Sequence, residues 1–436
     1  MAAATPAGAV TGTAVPAAPQ RLARLYVTLP AANIALYLLW LGVGSFLLPL
    51  QVAQITGTND TSALSTASTT GAVLATIGNP VFGQLSDRTR SRFGRRAPWI
   101  LLCALLGAVA LVAQAHAASI ATLGLSWGVV QFIMNGYQAA LTAAMPDRVP
   151  ASRYGTFSAL VGVGVPLGTI AAALVIGGVP GTKFGLDGII GGFGGRFAGA
   201  DGYYLIAAVV VVAALFFVTV SPDRDARELP REPFSLRAFL GGFWVSPRRH
   251  PDFGWAFVSR LGVLLGYFIV LTYNLYLLAD YIEVAPADLL PTVGFLMIVN
   301  ALCTVAATVL IGPLADRVGR VKPFVCTSGV VAALALSIPM LWPTQSGMLA
   351  YNIVGGMAFG TYMAVDMALI TKVLPRAADV GKDMGVINIA NAGPQILAPT
   401  VAGWIVTAGG YEALFPVAAV VSLVGALGVL RVRGVR

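Results

Sequence analysis

Apolar residues gather along this chain in twelve stretches, near 26–50, 66–86, 97–115, 119–145, 155–179, 202–220, 253–280, 289–313, 323–342, 347–371, 384–406 and 411–430. A helix needs about 20 such residues to cross a hydrocarbon core. Lipid offers backbone groups no partner, so helix is the form expected of each stretch. Polar residues collect between them, and the longest polar run, Ser221 to Pro251, falls near the middle. The pattern predicts an all-α membrane protein of twelve transmembrane helices in two six-helix halves. The expected organisation is a disordered tail over 1–24, a first half over 25–220, a linker over 221–252, a second half over 253–430 and a tail over 431–436. In the linker, Phe234 to Trp244 mixes apolar residues with Arg237, as a short helix lying in the membrane interface would.

One polar motif occurs twice. Gly83-Gln84-Leu85-Ser86-Asp87-Arg88 closes the second stretch and Gly312-Pro313-Leu314-Ala315-Asp316-Arg317 closes the eighth. Both run on into basic residues, Arg90 to Arg96 and Arg320 to Lys322, and then meet a proline, Pro98 or Pro323. The copies stand at matching places in the two halves, which marks the chain as a duplication. Gly155 and Gly385, opening the fifth and eleventh stretches, match in the same way.

Composition agrees with a membrane setting. Hydrophobic residues make up 57% and charged residues 10%, whereas soluble domains carry about 25% charged residues. The net charge of +9 does not point to nucleic acid, because of where the charges sit. Counting loops from an internal N-terminus, all of the 27 Lys and Arg except Lys183 and Arg196 fall on the internal side. This positive-inside bias places both termini in the cytoplasm. The three cysteines, Cys103, Cys303 and Cys326, imply no disulfide framework. The Ala- and Pro-rich start lacks the form of a signal peptide. Lysine appears only at Lys183, Lys322, Lys372 and Lys382, which together with the Ala and Gly excess suggests a bacterial gene. The expected location is therefore a bacterial inner membrane, multi-pass.

Polar residues inside apolar stretches are costly unless they face a bundle interior. Asn33, Tyr37, Trp40 and Gly44 share one helical face of the first stretch, and Gln131, Asn135, Gln138 and Thr142 share one face of the fourth. The tenth carries Asn352, Phe359, Tyr362 and Asp366, the eleventh Asn388, Asn391 and Gln395, and the seventh Tyr267, Tyr273, Asn274 and Tyr276. Such groups either bond neighbouring helices or line a cavity. Amides bind hydroxyls and rings cover a pyranose face, so a cavity of this kind suits a neutral, hydroxyl-rich solute. Asp366 is the one acid placed well inside a stretch. It is a candidate proton site, with a structural salt bridge as the other reading.

Two six-helix halves related by a parallel repeat are the layout of the major facilitator superfamily, and the chain resembles that superfamily over nearly its whole length. The pattern formed by Gly83, Asp87, Arg88, Gly94, Arg95 and Arg96 is similar to its best-known signature, in a lengthened form. Ser86 to Ile100 resembles the corresponding loop of the glycoside–pentoside–hexuronide symporters and of sucrose-type transporters. Their Arg-x-Gly-Arg-Arg-basic element is matched at Arg92, Gly94, Arg95 and Arg96, with Ala97 in place of the last basic residue.

The resemblance implies that the motifs latch the halves on the cytoplasmic side. Asp87 would face the start of the eleventh helix and Asp316 the start of the fifth, where unpartnered amides favour a carboxylate. Arg88, Arg95, Arg317 and Arg320 would form the charge network, with Gly83 and Gly312 permitting close helix approach. It also implies a central cavity lined by the first, fourth, seventh and tenth helices. The candidates there are Asn33, Tyr37, Trp40, Gln131, Asn135, Gln138, Tyr273, Asn274 and Tyr362, with Asn388, Asn391 and Gln395 beside them. Two departures stand out. Sodium-coupled melibiose-type carriers hold two acids in the second helix, and Ala75 to Pro80 holds none. The fourth stretch also lacks the acid and arginine of plant sucrose carriers.

The expected function is secondary active transport by alternating access, with a sugar or glycoside taken up by proton symport. An alternative is proton-coupled export of a small amphipathic molecule, since Gly162 to Gly168 loosely resembles the glycine–proline motif of antiporters. A non-transporting membrane sensor has no need of two gates. No phosphate-binding glycine loop, metal-ligand spacing or nucleophile set supports an enzyme. No cofactor is expected beyond the proton gradient, and the chain is expected to act as a monomer.

Overall fold

The computed structural model describes residues 19–150, 157, 160–177, 197–227, 251–373 and 380–433. The helices, numbered along the chain, begin with α1 (Pro19–Gly42), which continues through a π-turn over Val43–Leu47 into Leu48–Thr56. Then come α2 (Thr61–Arg88), α3 (Ala97–Ala115), α4 (Ile120–Arg148), α5 (Gly164–Ala172, followed by a π-turn over Ala173–Gly177) and α6 (Ala200–Val220). Next is α7 (Pro251–Thr272), which breaks at Tyr273 and resumes over Asn274–Tyr276 and a π-turn at Leu277–Tyr281. The last are α8 (Pro286–Val318), α9 (Lys322–Leu341), α10 (Gln345–Val373), α11 (Val380–Gly409) and α12 (Leu414–Gly428). No strand occurs among the described residues.

Nine helical segments among the described residues are long and apolar enough to cross a membrane. The other three long helices, α2, α4 and α11, carry runs such as Ser65 to Thr70 that lower their apolarity. Helix α1 starts earlier than the expected tail boundary. Pro19 is pre-organised for a first helical turn, so residues 19–24 are helical rather than tail. The interfacial helix expected over Phe234 to Trp244 and the opening of the fifth stretch at Gly155 lie outside the described residues.

The duplication is visible in the packing. α2 packs on α4, α3 on α4 and α6, and α1 on α5 and α6; the second half repeats this as α8 on α10, α9 on α10 and α12, and α7 on α11 and α12. Two seams join the halves, α2 against α11 and α5 against α8, each the repeat image of the other. Glycine sets the tightest of these approaches. A Cβ at Gly78 would run into the Phe132 carbonyl, and one at Gly360 into the Thr304 carbonyl. Outward faces carry large apolar side chains, Val109, Val212, Leu310 and Trp404 among them, as lipid contact requires.

Candidate functional site

The hairpin between α2 and α3 is held by carboxylates from three elements. Arg95 donates to Asp147, near the end of α4, through Nε to Oδ2 at 3.0 Å and through Nη2 to Oδ1. Arg96 donates through Nε to the same Oδ2 at 2.8 Å and through Nη1 to Ser86 Oγ at 2.5 Å, and its Nη2 pairs with Asp87 Oδ1 at 2.5 Å. Its backbone N–H donates to Asp223 Oδ2 at 2.9 Å, just past α6. Burial works against the Arg96 charge, but the bond and charge of Asp147, then those of Asp87, more than offset it and hold its pKa above the ordinary arginine value.

Gly94 lets this hairpin close. Its φ of 87° is left-handed, and a Cβ there would collide with the Asp223 side chain. Gly94→Ala is expected to cost about 1–2 kcal/mol through the backbone alone and to displace Asp223. Asp147→Asn leaves Arg95 and the 4% exposed Arg96 short of a counter-charge. Its expected cost is about 3 kcal/mol, the lower end for a broken buried pair, because Arg95 is partly exposed and Asp87 remains on Arg96. Both variants should lower the thermal midpoint in detergent, Asp147→Asn the more. An unchanged midpoint for Asp147→Asn would mean that the pairs are screened by water.

A second charged cluster lies inside the other half. Asp366 on α10 is 2% exposed and Arg260 on α7 is 6% exposed. Arg260 Nη1 stands 3.0 Å from Asp366 Oδ2, and the fully buried Tyr362 donates its hydroxyl to Oδ1 at 2.7 Å. Tyr267 stacks on Phe359 with ring centres 4.0 Å apart, and its hydroxyl points toward Asn300 Oδ1 at 3.4 Å. Tyr267, Phe359, Asn300, Tyr351 and Tyr362 line a cavity of about 30 Å³, and Asp366 and Arg260 are not among its described lining residues. It has room for about one water.

The halves are tied at the end away from the basic hairpins. Tyr276 donates to the Pro49 carbonyl at 2.9 Å and Tyr273 to the Thr61 carbonyl at 2.8 Å. Asp280 accepts from Asn59 Nδ2 of the other half at 2.6 Å and is held by Tyr411 of its own half at 2.8 Å, and Thr69 and Thr400 share a 2.6 Å bond across α2 and α11. The π-turns at Val43–Leu47 and Leu277–Tyr281 occupy the same region of α1 and α7. π-Turns often mark functional positions, and these precede Pro49 and follow Tyr276, the two partners of one tie.

The expected cavity residues fall into several environments. Asn33 donates to the Leu29 carbonyl and Asn135 to the Gln131 carbonyl, each four residues back on its own helix, and Asn79 reaches Gln138 Oε1 at 3.5 Å. Asn33 and Tyr37 lie against α5, where Cβ atoms at Gly164 and Gly168 would strike them. Gly164 and Gly168 thus serve helix approach, whereas a Cβ at Gly162 meets nothing among the described residues. Tyr37 and Trp40 meet edge to face at 5.3 Å, and Trp40 Nε1 is buried with no acceptor among the described residues. Tyr273 sits in the tie between halves, Asn274 is buried beside it, and Gln395 is exposed.

Asn388, Asn391, the Asp316 side chain and the residues before α11 lie outside what is described, so the partners expected for Asp87 and Asp316 across the halves do too. Arg88, Arg317 and Arg320 are exposed, and Arg92 lies over the Phe93 ring at 4.6 Å. Among the described residues a Cβ at Gly312 meets nothing within 4 Å, and one at Gly83 meets only Ala139 at 3.9 Å; the helix starts they are expected to approach lie outside those residues.

Sequence reasoning missed Asp147, Asp223 and Arg260. A signal for the first two exists, because Pro146-Asp147-Arg148 and Pro222-Asp223-Arg224 repeat one tripeptide after the fourth and sixth stretches. Arg260 is a basic residue inside an apolar stretch, as conspicuous as Asp366.

A family model described as Major Facilitator Superfamily matches residues 31–290 and again 289–435. Among solved structures, the chain is similar to the nucleoside transporter NupG, 15% identical with a TM-score of 0.72, covering 94% of this chain and 99% of that one. It is also similar to a POT family transporter in complex with a thioalcohol-conjugated peptide (14% identical, TM-score 0.71, 93% and 95% covered). A third is a bacterial homolog of the human lysosomal transporter Spinster, in an inward-facing and occupied conformation (14%, 0.66, 95% and 95%). At these identities the likeness shows the fold alone. No curated protein matches the sequence. The twofold match of the family model, on a helical fold with repeat-related seams, shows a transporter rather than an enzyme: the chain belongs to the Major Facilitator Superfamily.

Proposed function

We propose that this chain moves a sugar or glycoside across a bacterial inner membrane by alternating access, as a monomer of twelve crossings with the basic hairpins in the cytoplasm, driven by protons through Asp366. On this reading the ties at Tyr273, Tyr276 and Asp280 close the external side, and the conformation is inward-facing. The observation that carries the coupling is the position of Asp366, buried between Arg260 and Tyr362. A charged Asp366 balances Arg260, and protonation would remove that carboxylate's charge from beside a buried arginine, which is unfavourable. Arg260 lies on α7, and the external ties follow directly, Tyr273 at its break and Tyr276 in the short segment where the helix resumes. Proton uptake would therefore act on the helix that closes the external side.

The solute class rests on the amides and rings of α1, α4, α7 and α10, on the buried Trp40 donor, which a hydroxyl would satisfy, and on the glycoside-type hairpin at Arg92, Gly94, Arg95 and Arg96. The test is uptake of labelled monosaccharides, disaccharides, glycosides and nucleosides into proteoliposomes under an inward proton gradient. Accumulation of a sugar or glycoside is the expected result. If only nucleosides accumulate, the sugar class is wrong and the coupling stands. No accumulation, together with gradient-driven efflux of an amphipathic dye from everted vesicles, would establish export instead.

A further inference from the structure

A second pocket lies at the hairpin end of the first half, outside everything assigned to transport. It has a volume of about 130 Å³ and is lined by Arg24 at the start of α1, Arg148 at the end of α4, and Val220, Ser221 and Arg224 where α6 ends. Three arginines from three elements converge here, and none of the described residues that line the pocket is acidic. Arg148 donates through Nη1 to the Ser221 carbonyl at 2.7 Å, and its side chain is 9% exposed. Its Nη2 stands 3.2 Å from Asp223 Oδ1 without hydrogen-bond alignment, and its Nε has no acceptor among the described residues. Among the described residues Arg24 reaches the Val220 carbonyl alone, at 3.5 Å. Burial draws the Arg148 pKa down, with the charges of Asp223 and Asp147 opposing it. Planar guanidinium forks bind phosphate oxygens well. Basic pockets between helices at a cytoplasmic face are where anionic headgroups dock.

We propose that Arg24, Arg148 and Arg224 form a binding site for a phosphate-bearing anion, either the headgroup of an anionic lipid or a soluble phosphate. Arg148 also faces Asp223, which holds the Arg96 backbone, so an occupant would bear on the hairpin through a single carboxylate.

The test uses the full chain in a zwitterionic detergent at fixed ionic strength. Thermal unfolding is followed while phosphatidylglycerol, phosphatidylcholine or inorganic phosphate is titrated separately. The wild type should gain a saturable rise in midpoint with phosphatidylglycerol and none with phosphatidylcholine. A matching rise with inorganic phosphate would identify a soluble anion as a competent occupant, and its absence would assign the site to lipid. Arg24→Gln and Arg224→Gln sit on exposed side chains and should fold normally. Each should weaken the anion's apparent affinity about fivefold, and the pair together about twentyfold or more. Loss of the rise in the double variant supports the site. No rise with either anion, or a rise that the double variant keeps in full, overturns it.

Discussion

Asp366→Asn should abolish accumulation driven by a proton gradient while leaving solute exchange across the membrane intact. With one proton per solute, a gradient of two pH units supports about 100-fold accumulation, and the variant should fall to about equal concentrations on both sides. The physical reason is that asparagine keeps the shape of Asp366 and can still meet Tyr362, but it cannot exchange a proton. The substitution also strips Arg260 of its carboxylate, and breaking a buried pair in this way costs about 3–5 kcal/mol. Poor expression of the single variant is therefore part of the expectation. Asp366→Asn with Arg260→Gln removes both charges and should recover much of the lost stability, because no buried charge is left without its opposite. That double variant should exchange solute without accumulating it. Full accumulation by the double variant would remove Asp366 from the coupling.

The second large effect is expected at the opposite end. Tyr276→Phe removes the bond to the Pro49 carbonyl, and Asp280→Asn weakens the bond that Asn59 makes across the halves. A neutral hydrogen bond contributes about 1 kcal/mol and one to a charged group about 1.5–3 kcal/mol. Losing about 3 kcal/mol of closure shifts the balance between conformations roughly 100-fold. Spin labels at the exposed positions Thr58 and Ala285, one in each half, would report it as a new population at longer distance. An unchanged distance distribution in the double variant would show that these bonds do not hold the end closed.

Much of the fold is legible in the sequence, because burial in lipid leaves a one-dimensional trace. Each apolar stretch overlaps one helix, and the duplicated Asp-Arg hairpin anticipates the matched seams α2–α11 and α5–α8. Asp366 is equally legible, since an acid in an apolar stretch stands out without any structure. Its partner is harder to find. Arg260 lies three helices away, and helical periodicity relates residues on one helix but says nothing of pairs between helices. The same limit explains Tyr273 and Tyr276. Their spacing marks a polar face, but a face turned toward a cavity and one turned toward the other half look alike. The break at Tyr273 has no glycine or proline beside it to announce it.

Solute-dependent proton movement tests the central claim most directly. Proteoliposomes without a gradient are given the accumulated solute in a weakly buffered medium, and the external pH is recorded. Downhill entry through the wild type should alkalinise the medium as protons enter with solute. The Asp366→Asn, Arg260→Gln double variant should admit solute with no pH change. Solute entry through the wild type without alkalinisation, or an undiminished pH change in the double variant, would contradict proton coupling through Asp366.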